Sequence, residues 1–580
     1  MMQSASHAVS PSRYINFAFL AALFGFLFFF RLGNVPLFDL DEGLYVTCAQ
    51  NMAKTGDLIT PRLNTRLADR PDETLIPFYE KPIMVYWLAA AAMRLLGPSE
   101  LAARLPAALA ALLTTCAVLL AGTRWFGRRA GMIAAIVYAA CPLTILDARE
   151  ITPDGLLVLW FTGILLVFRV LQVKAQQDAG DEPHSSYRRY GLPLLFWALS
   201  ALAVLTKGVI GLMLPVLIIG VSLALSHLSF RVRFGGVRRL LARFALRLRS
   251  TDELLPTVRA LRPLPGLLIF LALAVPWFVL IWRAGGRDEL GHTFVQEYIL
   301  RQHIGRFRGL DSVHNMPLPS YLAFFLIGFF PWSCVVPAAF RLRYRAEATP
   351  QSGAPPVVHS RANASGCRTP SQADLSHYRF LLIWFWTVFI FFSLSAAKLP
   401  AYIAPAYPAA ALLVGRWLDR LLATQAPSHG LRSLCRGAFG ATVIGTLLVI
   451  VALIGSRFAP ANAPIPDDVK RVAIHLTLLL ACGNGAAWFC FRFYGATSNG
   501  IRAGFVAQAA TMALLVGIGC TEGYAVAAQD VLLPYQRADI AARTIGRDHF
   551  KDSVRGKGSG FRRQGHASGS STEAFRDAAL

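Results

Sequence analysis

Charged residues are scarce in this sequence, and acidic residues are the scarcer kind. Only 16% of the 580 residues are charged whereas 55% are hydrophobic, and the mean hydropathy is +0.47. This composition excludes an ordinary soluble globule and predicts an integral membrane protein. The sequence has 33 Asp and Glu against 57 Lys and Arg, a net charge of +24. Nucleic-acid binding is not indicated, because the basic residues lie mainly between apolar segments and form no continuous basic face.

Cysteine motifs are also lacking. The nine cysteines are scattered, mostly within apolar segments, and form no C-x-x-C pair. This excludes a disulfide framework or a zinc ribbon and predicts small core residues. The first apolar segment is followed by Arg31-Leu32-Gly33-Asn34 and not by a small-residue cleavage pattern. We therefore expect a retained membrane anchor rather than a cleaved signal peptide.

Long apolar segments, in contrast, are abundant. Thirteen of them approach the ~20 residues that a helix needs to cross a bilayer. Another segment, Ile83–Met93, is cut short by Arg94 and is predicted to lie in the membrane interface. The predicted spans are centred on Phe19–Phe30, Leu105–Thr123, Ala130–Leu146, Gly155–Phe168, Gly191–Thr206, Gly208–Ser226, Leu264–Trp282, Pro319–Phe340, Phe380–Ala397, Leu399–Gly415, Gly437–Ser456, Val472–Phe491 and Ala503–Thr521.

The basic residues test this topology, because cytoplasmic loops of membrane proteins carry an excess of Lys and Arg. With a cytoplasmic N-terminus, thirteen spans put the basic clusters inside, including the arginines from Arg231 to Arg262. Counting Ile83–Met93 as a span would move most of these clusters outside. The same topology brings to the outer face Asp41, Lys81, Asp154, Lys207, Arg306 and Lys398.

The loops divide the chain further. Two outer segments are long and rich in polar residues, and the first contains a predicted amphipathic helix around Leu44–Lys54. An inner segment rich in Ala, Ser, Pro and Arg predicts a disordered insertion, and the C-terminal tail has little apolar content. The predicted divisions are a cytoplasmic N-terminus (1–14), a transmembrane domain (15–521), outer loops (33–102 and 284–318), a cytoplasmic insertion (345–377) and an outer tail (522–580).

Six short motifs occur in one order, all on the predicted outer face. They are Asp41-Glu42-x-x-Tyr45, Tyr79-Glu80-Lys81-Pro82, Arg149-Glu150-Ile151-Thr152-Pro153-Asp154, Leu205-Thr206-Lys207-Gly208, Gln302-His303-x-x-Arg306-Phe307 and Phe392-Ser393-Leu394-Ser395-x-x-Lys398-Leu399-Pro400-x-Tyr402. A single motif of this kind is weak, but six in sequence are specific. Over about residues 15–520 the chain closely resembles the bacterial lipid A aminoarabinose transferases, relatives of the protein O-mannosyltransferases in the GT-C superfamily.

The resemblance implies an all-α polytopic membrane enzyme, a GT-C bundle of about thirteen spans with interfacial helices in the first periplasmic loop. It implies transfer of a sugar, 4-amino-4-deoxy-L-arabinose or a related one, from undecaprenyl phosphate to lipid A or another envelope acceptor. The reaction would take place on the periplasmic face of the bacterial inner membrane. The implied partners are thus a polyprenyl-phosphate-linked sugar, the acceptor and the phospholipid bilayer, and no nucleic acid. Two departures affect acceptor choice: extra residues around Leu67–Leu75, and an outer domain that looks truncated after Tyr535.

Sugar transfer from a lipid phosphate needs a carboxylate near the acceptor and cations near the leaving phosphate, because an oxocarbenium-like centre and a phosphate develop together. Asp41 is the predicted carboxylate, and Glu42 and Asp154 complete the predicted catalytic set. Asp41 would act as a general base on a hydroxyl or orient an already ionised phosphate. The alternative for Asp41 is a helix N-cap, and Asp154 beside Pro153 also suits a helix start.

The predicted ligands of the donor phosphate are cationic or hydrogen-bonding groups. Lys81 and Arg306 lead this set, with phospholipid headgroup contact as their alternative. His303 would bond either phosphate or a loop carbonyl. Lys398, with Tyr402, would contact the phosphate or anchor a helix at the interface, and Lys207 would support the site or act as such an anchor.

Tyr45 and Glu80 are predicted supporting residues. Glu80 would suit a divalent metal, but no histidine lies at helical spacing from it, and His292 and His303 are not spaced as a metal pair. We therefore assign no metal and no certain cofactor.

Two rival functions stay open. A transporter of an anionic lipid or sugar would also have many spans, but transporters place ionisable groups near mid-membrane and often show internal repeats. Here the span centres are uncharged and the acids lie at their rims. Within the enzymes, a protein O-mannosyltransferase is the alternative.

Overall fold

The computed structural model describes residues 11–34, 37, 40–65, 74–177, 186–225, 251–288, 290–305, 315–341, 372–423 and 467–493, with isolated positions between 437 and 514. This part of the chain is mostly helical, because an apolar chain in a bilayer must satisfy its backbone hydrogen bonds internally. The α-helices are α1 (Pro11–Phe29), α2 (Leu40–Thr55), α3 (Met84–Leu96), α4 (Glu100–Phe126), α5 (Arg128–Ala139), α6 (Pro142–Ala148), α7 (Pro153–Gln177), α8 (Ser186–Lys207), α9 (Val209–Leu225), α10 (Thr251–Ala260), α11 (Pro263–Ala284), α12 (Ser320–Gly328), α13 (Val336–Ala339), α14 (Gln372–Leu394), α15 (Tyr407–Ala423) and α16 (Asp467–Phe493).

Five of these helices, α4, α7, α8, α11 and α14, are long and apolar enough to cross a membrane. The number rises to seven if two bent pairs each count as one span: α5 with α6, bent by 68°, and α12 with the segment Trp332–Ala339, bent by 110°. The prediction of a helical, multi-pass membrane protein is confirmed, with one β-hairpin that was not predicted, whereas the number of thirteen spans is not confirmed. Helices α9 and α15 have only 17 residues each. The predicted spans Gly437–Ser456 and Ala503–Thr521 lie largely outside the described residues.

The centre of the bundle is packed through small residues. Helix α5 lies between α4 and α15, and a Cβ atom on Gly122 of α4 would come within 2.7 Å of the Gly131 Cα atom of α5. On the other side, a Cβ on Gly415 would come equally close to Ala134. Such residues let helix backbones approach closely where lipid offers no hydrophobic driving force.

The first outer segment folds against the end of this bundle. Helix α2 contains the predicted helix Leu44–Lys54, and α3 is a 13-residue apolar helix, too short to cross the bilayer. Between them lies an antiparallel hairpin of β1 (Arg62–Thr65) and β2 (Thr74–Pro77). The hairpin flanks residues 66–73, so most of the segment around Leu67–Leu75, where extra residues are predicted, lies outside the described part.

The second outer segment contains a π-helix, Val295–Gly305. Its hydrogen bonds join residues five apart, a rare geometry that recurs at functional sites. Arg306 and Arg308 follow it and lie outside the described residues. Of the predicted insertion 345–377, residues 372–377 begin α14, and the rest, like the tail 522–580, lies outside the described part.

Candidate functional site

A cavity of about 640 Å³ lies where the two outer segments meet the ends of α7, α8, α9 and α11. One part of its wall is apolar and is formed by side chains such as Leu157, Val209, Met213, Phe278 and Phe391. The other part is polar and ionisable and contains Glu80, Lys81, Asp154, Lys207, Gln302, His303 and Tyr402. Six of these seven are predicted site residues. A cavity with this division suits a ligand with an apolar tail and an anionic head.

Three predicted residues from separate helices form one assembly. The Lys207 ammonium at the end of α8 makes an ion pair with the Asp154 carboxylate in the first turn of α7. It also lies 4.2 Å from the centroid of the Tyr402 ring, a cation–π contact. The Asp154 side chain is 13% exposed and that of Lys207 is 15% exposed. The pair is therefore largely shielded from water while it lines the cavity.

Gly208 explains how the loop after Lys207 can reach the second outer segment. Its φ of +71° is a conformation that other residues rarely adopt. A Cβ atom there would overlap the Tyr298 hydroxyl and come within 2.8 Å of the His303 Nε2 atom. Only glycine lets this turn contact the π-helix. This close approach explains why a glycine follows Lys207 in the sequence motif.

Lys81 and Glu80 enter the cavity from the loop before α3. The Lys81 Nζ atom lies 3.8 Å from Glu80 Oε2. The neighbouring Tyr79 hydroxyl donates to the Gly285 carbonyl at 2.6 Å, which ties this loop to the end of α11. The loop is therefore fixed to the second outer segment, and Lys81 is held at the cavity.

His303 has one of the two partners predicted for it. Its Nδ1 atom lies 2.7 Å from the Tyr298 carbonyl oxygen. A carbonyl only accepts, so Nδ1 carries the proton and donates it. The predicted bond to a loop carbonyl is therefore present at Nδ1, and the residue also lines the cavity.

Asp41 is half-buried and is not among the described residues that line the cavity. Helix α2 begins at Leu40, so Asp41 lies inside its first turn and does not precede the helix as an N-cap would. Its position shows in the pKa of Tyr45. Burial raises that pKa, and the negative charges of Asp41, Glu80 and Asp154 raise it further, as does Tyr86. The charges of all three carboxylates therefore act on one buried phenol, which relates Asp41 to the acids of the cavity.

Glu42 has a different environment. Its carboxylate is fully buried and makes a two-pronged ion pair with Arg104 of α4, with N···O distances of 2.7 and 2.8 Å. The Ile151 amide donates to the same carboxylate at 3.4 Å, and Arg104 donates to the Leu32 carbonyl at 3.2 Å. Glu42 is not among the described cavity residues, so its geometry is that of a brace beside Asp41. The sequence had placed it in the catalytic set.

Lys398 is bound within its own motif. It is 3% exposed, and its ammonium donates to the Ser395 carbonyl. Among the described residues, the cavity is lined by Phe392, Ser395, Ala397 and Tyr402 from this motif but not by Lys398. Its predicted phosphate contact therefore stays a prediction, as does that of Arg306.

One group of side chains could hold a metal ion. Ligand atoms of Asp288, His292 and Glu297 all lie within 4.8 Å of one another. The sequence predicted no metal, and it did not foresee this group. The Arg301 guanidinium lies 3.2 Å from Glu297 Oε2 and already supplies a positive charge there.

Sequence reasoning missed three residues. Arg104 carried a readable signal, because an arginine near the start of an apolar span needs a partner. Tyr298 and Gln302 also line the cavity. A tyrosine and a glutamine in a short polar segment carry no sequence signal of their own for a binding role.

The chain is similar to several known proteins. Residues 80–242 match the family described as dolichyl-phosphate-mannose-protein mannosyltransferase. A relative in Pectobacterium atrosepticum, an undecaprenyl phosphate-alpha-4-amino-4-deoxy-L-arabinose arabinosyl transferase, is 25% identical over 409 residues, 69% of this chain. A relative of the same description in Pseudomonas paraeruginosa is 27% identical over 472 residues, 80% of this chain and 69% of the relative.

The fold matches a solved structure. ArnT from Cupriavidus metallidurans bound to undecaprenyl phosphate aligns with a TM-score of 0.61 and 22% identity, over 92% of this chain and 80% of that one. The fold is thus similar to that of this ArnT structure. Together with the sequence similarity to the arabinosyl transferases, it confirms the resemblance read from the six motifs. The chain spans only 59% of the length of the Pectobacterium atrosepticum relative.

Proposed function

We propose that this protein is a glycosyltransferase that takes a sugar from a polyprenyl phosphate, with 4-amino-4-deoxy-L-arabinose on undecaprenyl phosphate as the donor and lipid A as the acceptor. The observation that carries the proposal is the divided cavity, whose apolar wall suits a polyprenyl chain and whose polar wall contains the cations Lys81 and Lys207. The similarity to aminoarabinose transferases supports the choice of donor and acceptor. The reaction takes place on the periplasmic side of the inner membrane.

The chemistry is a displacement at the anomeric carbon of the sugar. An oxygen of the acceptor forms the new bond, the bond between the anomeric carbon and the phosphate oxygen breaks, and the phosphate leaves with the electron pair. A hydroxyl acceptor gives its proton to Asp41, whereas an ionised phosphate acceptor has none to give. Lys81 and Arg306 neutralise the charge that develops on the leaving phosphate.

The ion pair gives Asp154 and Lys207 linked roles in this scheme. Asp154 holds the Lys207 ammonium at the cavity wall, above the Tyr402 ring. Because the pair is shielded from water, its charges act more strongly on a bound phosphate than exposed charges would. Lys207 thereby becomes a phosphate ligand in its own right, beyond the supporting role that its motif suggested.

Mass spectrometry of lipid A tests the function directly. Cells that express the protein should contain lipid A with the added mass of the sugar, and cells without it should lack this species. Purified protein should also consume the glycosylated carrier when lipid A is supplied. If neither the modified lipid nor donor consumption is seen, the proposed function is wrong.

A protein acceptor is the second candidate, because the match over residues 80–242 is to protein mannosyltransferases. Both functions use a lipid-phosphate donor and differ in the acceptor. Glycopeptides in the protein fraction, with lipid A unchanged, would select this second function.

Donor binding is predicted to depend on the cations. Replacing Lys81 or Arg306 with Ala should weaken binding of undecaprenyl phosphate, which has no sugar to transfer, by about 10- to 100-fold, because charge-assisted contacts stabilise by ~1.5–3 kcal/mol. The double variant should lose less than the sum, since both cations would contact one phosphate. Lys54→Ala, an exposed lysine at the end of α2, is the matched control. Unchanged affinity in both single variants would contradict the phosphate role and favour contact of Lys81 and Arg306 with phospholipid headgroups.

Orientation is predicted from the distribution of basic residues. Introduced cysteines at Asp69 and Gly286 should react with a membrane-impermeant reagent added from outside, and those at Arg239 and Gly353 should not. Mass spectrometry of the labelled peptides measures this. The reversed labelling pattern would contradict a periplasmic location of the site.

A further inference from the structure

The π-helix fixes the orientation of one side chain in the cavity wall. Glu297 is 2% exposed, and its carboxylate accepts hydrogen bonds from Gln302 Nε2 at 2.7 Å and from Arg301 at 3.2 Å, with His292 Nδ1 at 3.0 Å. The Arg301 guanidinium and the Gln302 amide nitrogen can only donate, so the Glu297 carboxylate is the acceptor in these contacts.

This carboxylate decides which way the Gln302 amide points. Its NH₂ group must face Glu297, five residues earlier in the π-helix, so its carbonyl oxygen faces elsewhere as an acceptor. The Gln302 Oε1 atom is buried and has no hydrogen-bond partner in the described part of the chain. Gln302 itself lines the cavity.

Tyr298 presents a second group of the same kind. It is 4% exposed and lines the same cavity, and its hydroxyl has no partner among the residues that the structure describes. Burial raises the pKa of this phenol, so it stays protonated and can donate. Native proteins leave few buried polar groups unsatisfied, and two in one cavity wall call for a ligand.

The chemistry of the sugar donor indicates which part of it would bond the Gln302 carbonyl oxygen and the Tyr298 hydroxyl. A phosphate accepts hydrogen bonds and cannot satisfy the Gln302 carbonyl, and a polyprenyl chain has no polar hydrogen. A sugar ring has hydroxyl and amino groups that donate. Lys81 and Lys207 already supply cationic groups for the phosphate in the same cavity.

We propose that Gln302 and Tyr298 bind the sugar of the donor, with Gln302 Oε1 accepting a hydrogen bond from a hydroxyl or amino group of the ring and the Tyr298 hydroxyl bonding a neighbouring ring substituent. The inference rests on the proposed function and adds its specificity determinants. A site built to hydrogen-bond a substrate group discriminates strongly against analogues that lack it. Sugars without a polar hydrogen at this position should therefore be poor donors.

Binding measurements on the full-length protein, without acceptor, test the proposal with two probes. These are undecaprenyl phosphate and undecaprenyl phosphate-4-amino-4-deoxy-L-arabinose. Tyr298→Phe and Gln302→Leu should each weaken binding of the glycosylated carrier by about 2- to 10-fold, the range for single neutral hydrogen bonds, or more if the partner is a charged amine. Binding of undecaprenyl phosphate should change by less than about twofold.

Matched controls separate recognition from packing. Tyr407→Phe removes another buried hydroxyl without a partner in the described residues, away from those that line the cavity, and Gln296→Leu makes the same change at an exposed position of the π-helix. Neither should affect either probe. For each residue, equal weakening of both probes, or no change, overturns its sugar-binding role while the proposed function stands. A wild-type protein that binds neither probe overturns both proposals.

Discussion

Asp41→Asn is expected to reduce sugar transfer by about 10²- to 10⁴-fold, the usual contribution of a general base or charge-stabilising carboxylate. The substitution removes charge and basicity but almost no volume, so folding and donor binding should change little. Asp41 is one of three acids, with Glu80 and Asp154, whose charges raise the pKa of the buried Tyr45. Initial rates with purified enzyme and glycosylated carrier measure the loss.

Asp39→Asn is the matched control for this prediction. It makes the same change two residues away, at a carboxylate that the motifs leave outside the site, and transfer should stay close to the wild-type rate. Binding of undecaprenyl phosphate to Asp41→Asn should also stay close to wild type. A variant that retains transfer within a few fold would remove Asp41 from the catalytic group and leave Glu80 or Asp154 as the carboxylate.

The sequence predicted much of this site because the motifs and the topology agreed. Lys81, Asp154, Lys207, His303 and Tyr402 come from five separate parts of the chain, and all line one cavity. Four of these residues lie at the end of an apolar segment and His303 lies in the second outer segment, and the predicted topology puts all five on the same face.

Gln302 and Tyr298 could not be predicted in the same way. Their importance depends on hydrogen bonding between residues five apart, and no periodicity in so short a segment distinguishes a π-helix from an α-helix. The orientation of the Gln302 amide depends further on the Glu297 carboxylate. Such information exists only in the folded chain.

The number of thirteen spans is not confirmed by the described residues. Composition counts apolar residues but does not show where a helix bends, and α5 with α6 turns by 68° at a short break. The segment predicted as a span over Leu399–Gly415 begins as a 3₁₀ helix, Pro400–Ala406, before α15 starts. Pro400 and Pro405 remove backbone donors there, which disfavours a continuous α-helix.

Glu42 has a partner that its place in the sequence does not indicate. It follows Asp41 directly, yet its partner is Arg104, 62 residues away, and both side chains are 1% exposed. The pair joins the first turn of α2 to α4 and, through the Ile151 amide, to the loop before α7. It therefore fixes the backbone that presents Asp41 and acts through that residue.

Arg104→Gln is expected to destabilise the folded protein by about 3–5 kcal/mol, because removing one partner leaves the Glu42 charge buried and uncompensated. Glu42→Gln should do the same to Arg104. The double variant should be less destabilising than the sum of the two, since it leaves no unpaired charge, and this non-additivity identifies a direct pair. Heating in detergent, followed by the fraction that stays folded and monodisperse, measures the effect.

Arg94→Gln supplies the comparison, since Arg94 also joins a neighbouring helix to α2, donating to the Ala53 and Met52 carbonyls, but is exposed. Its loss should cost no more than about 1.5–3 kcal/mol, the range for hydrogen bonds to charged groups, and solvent should reduce it further. The Glu42→Gln/Arg104→Gln protein should recover stability without full activity, because Asp41 then lacks the ion pair that positions the first turn of α2. If Arg104→Gln unfolds no more readily than Arg94→Gln, the buried pair does not hold α2 in place. The predicted catalytic role of Glu42 would then be the better interpretation.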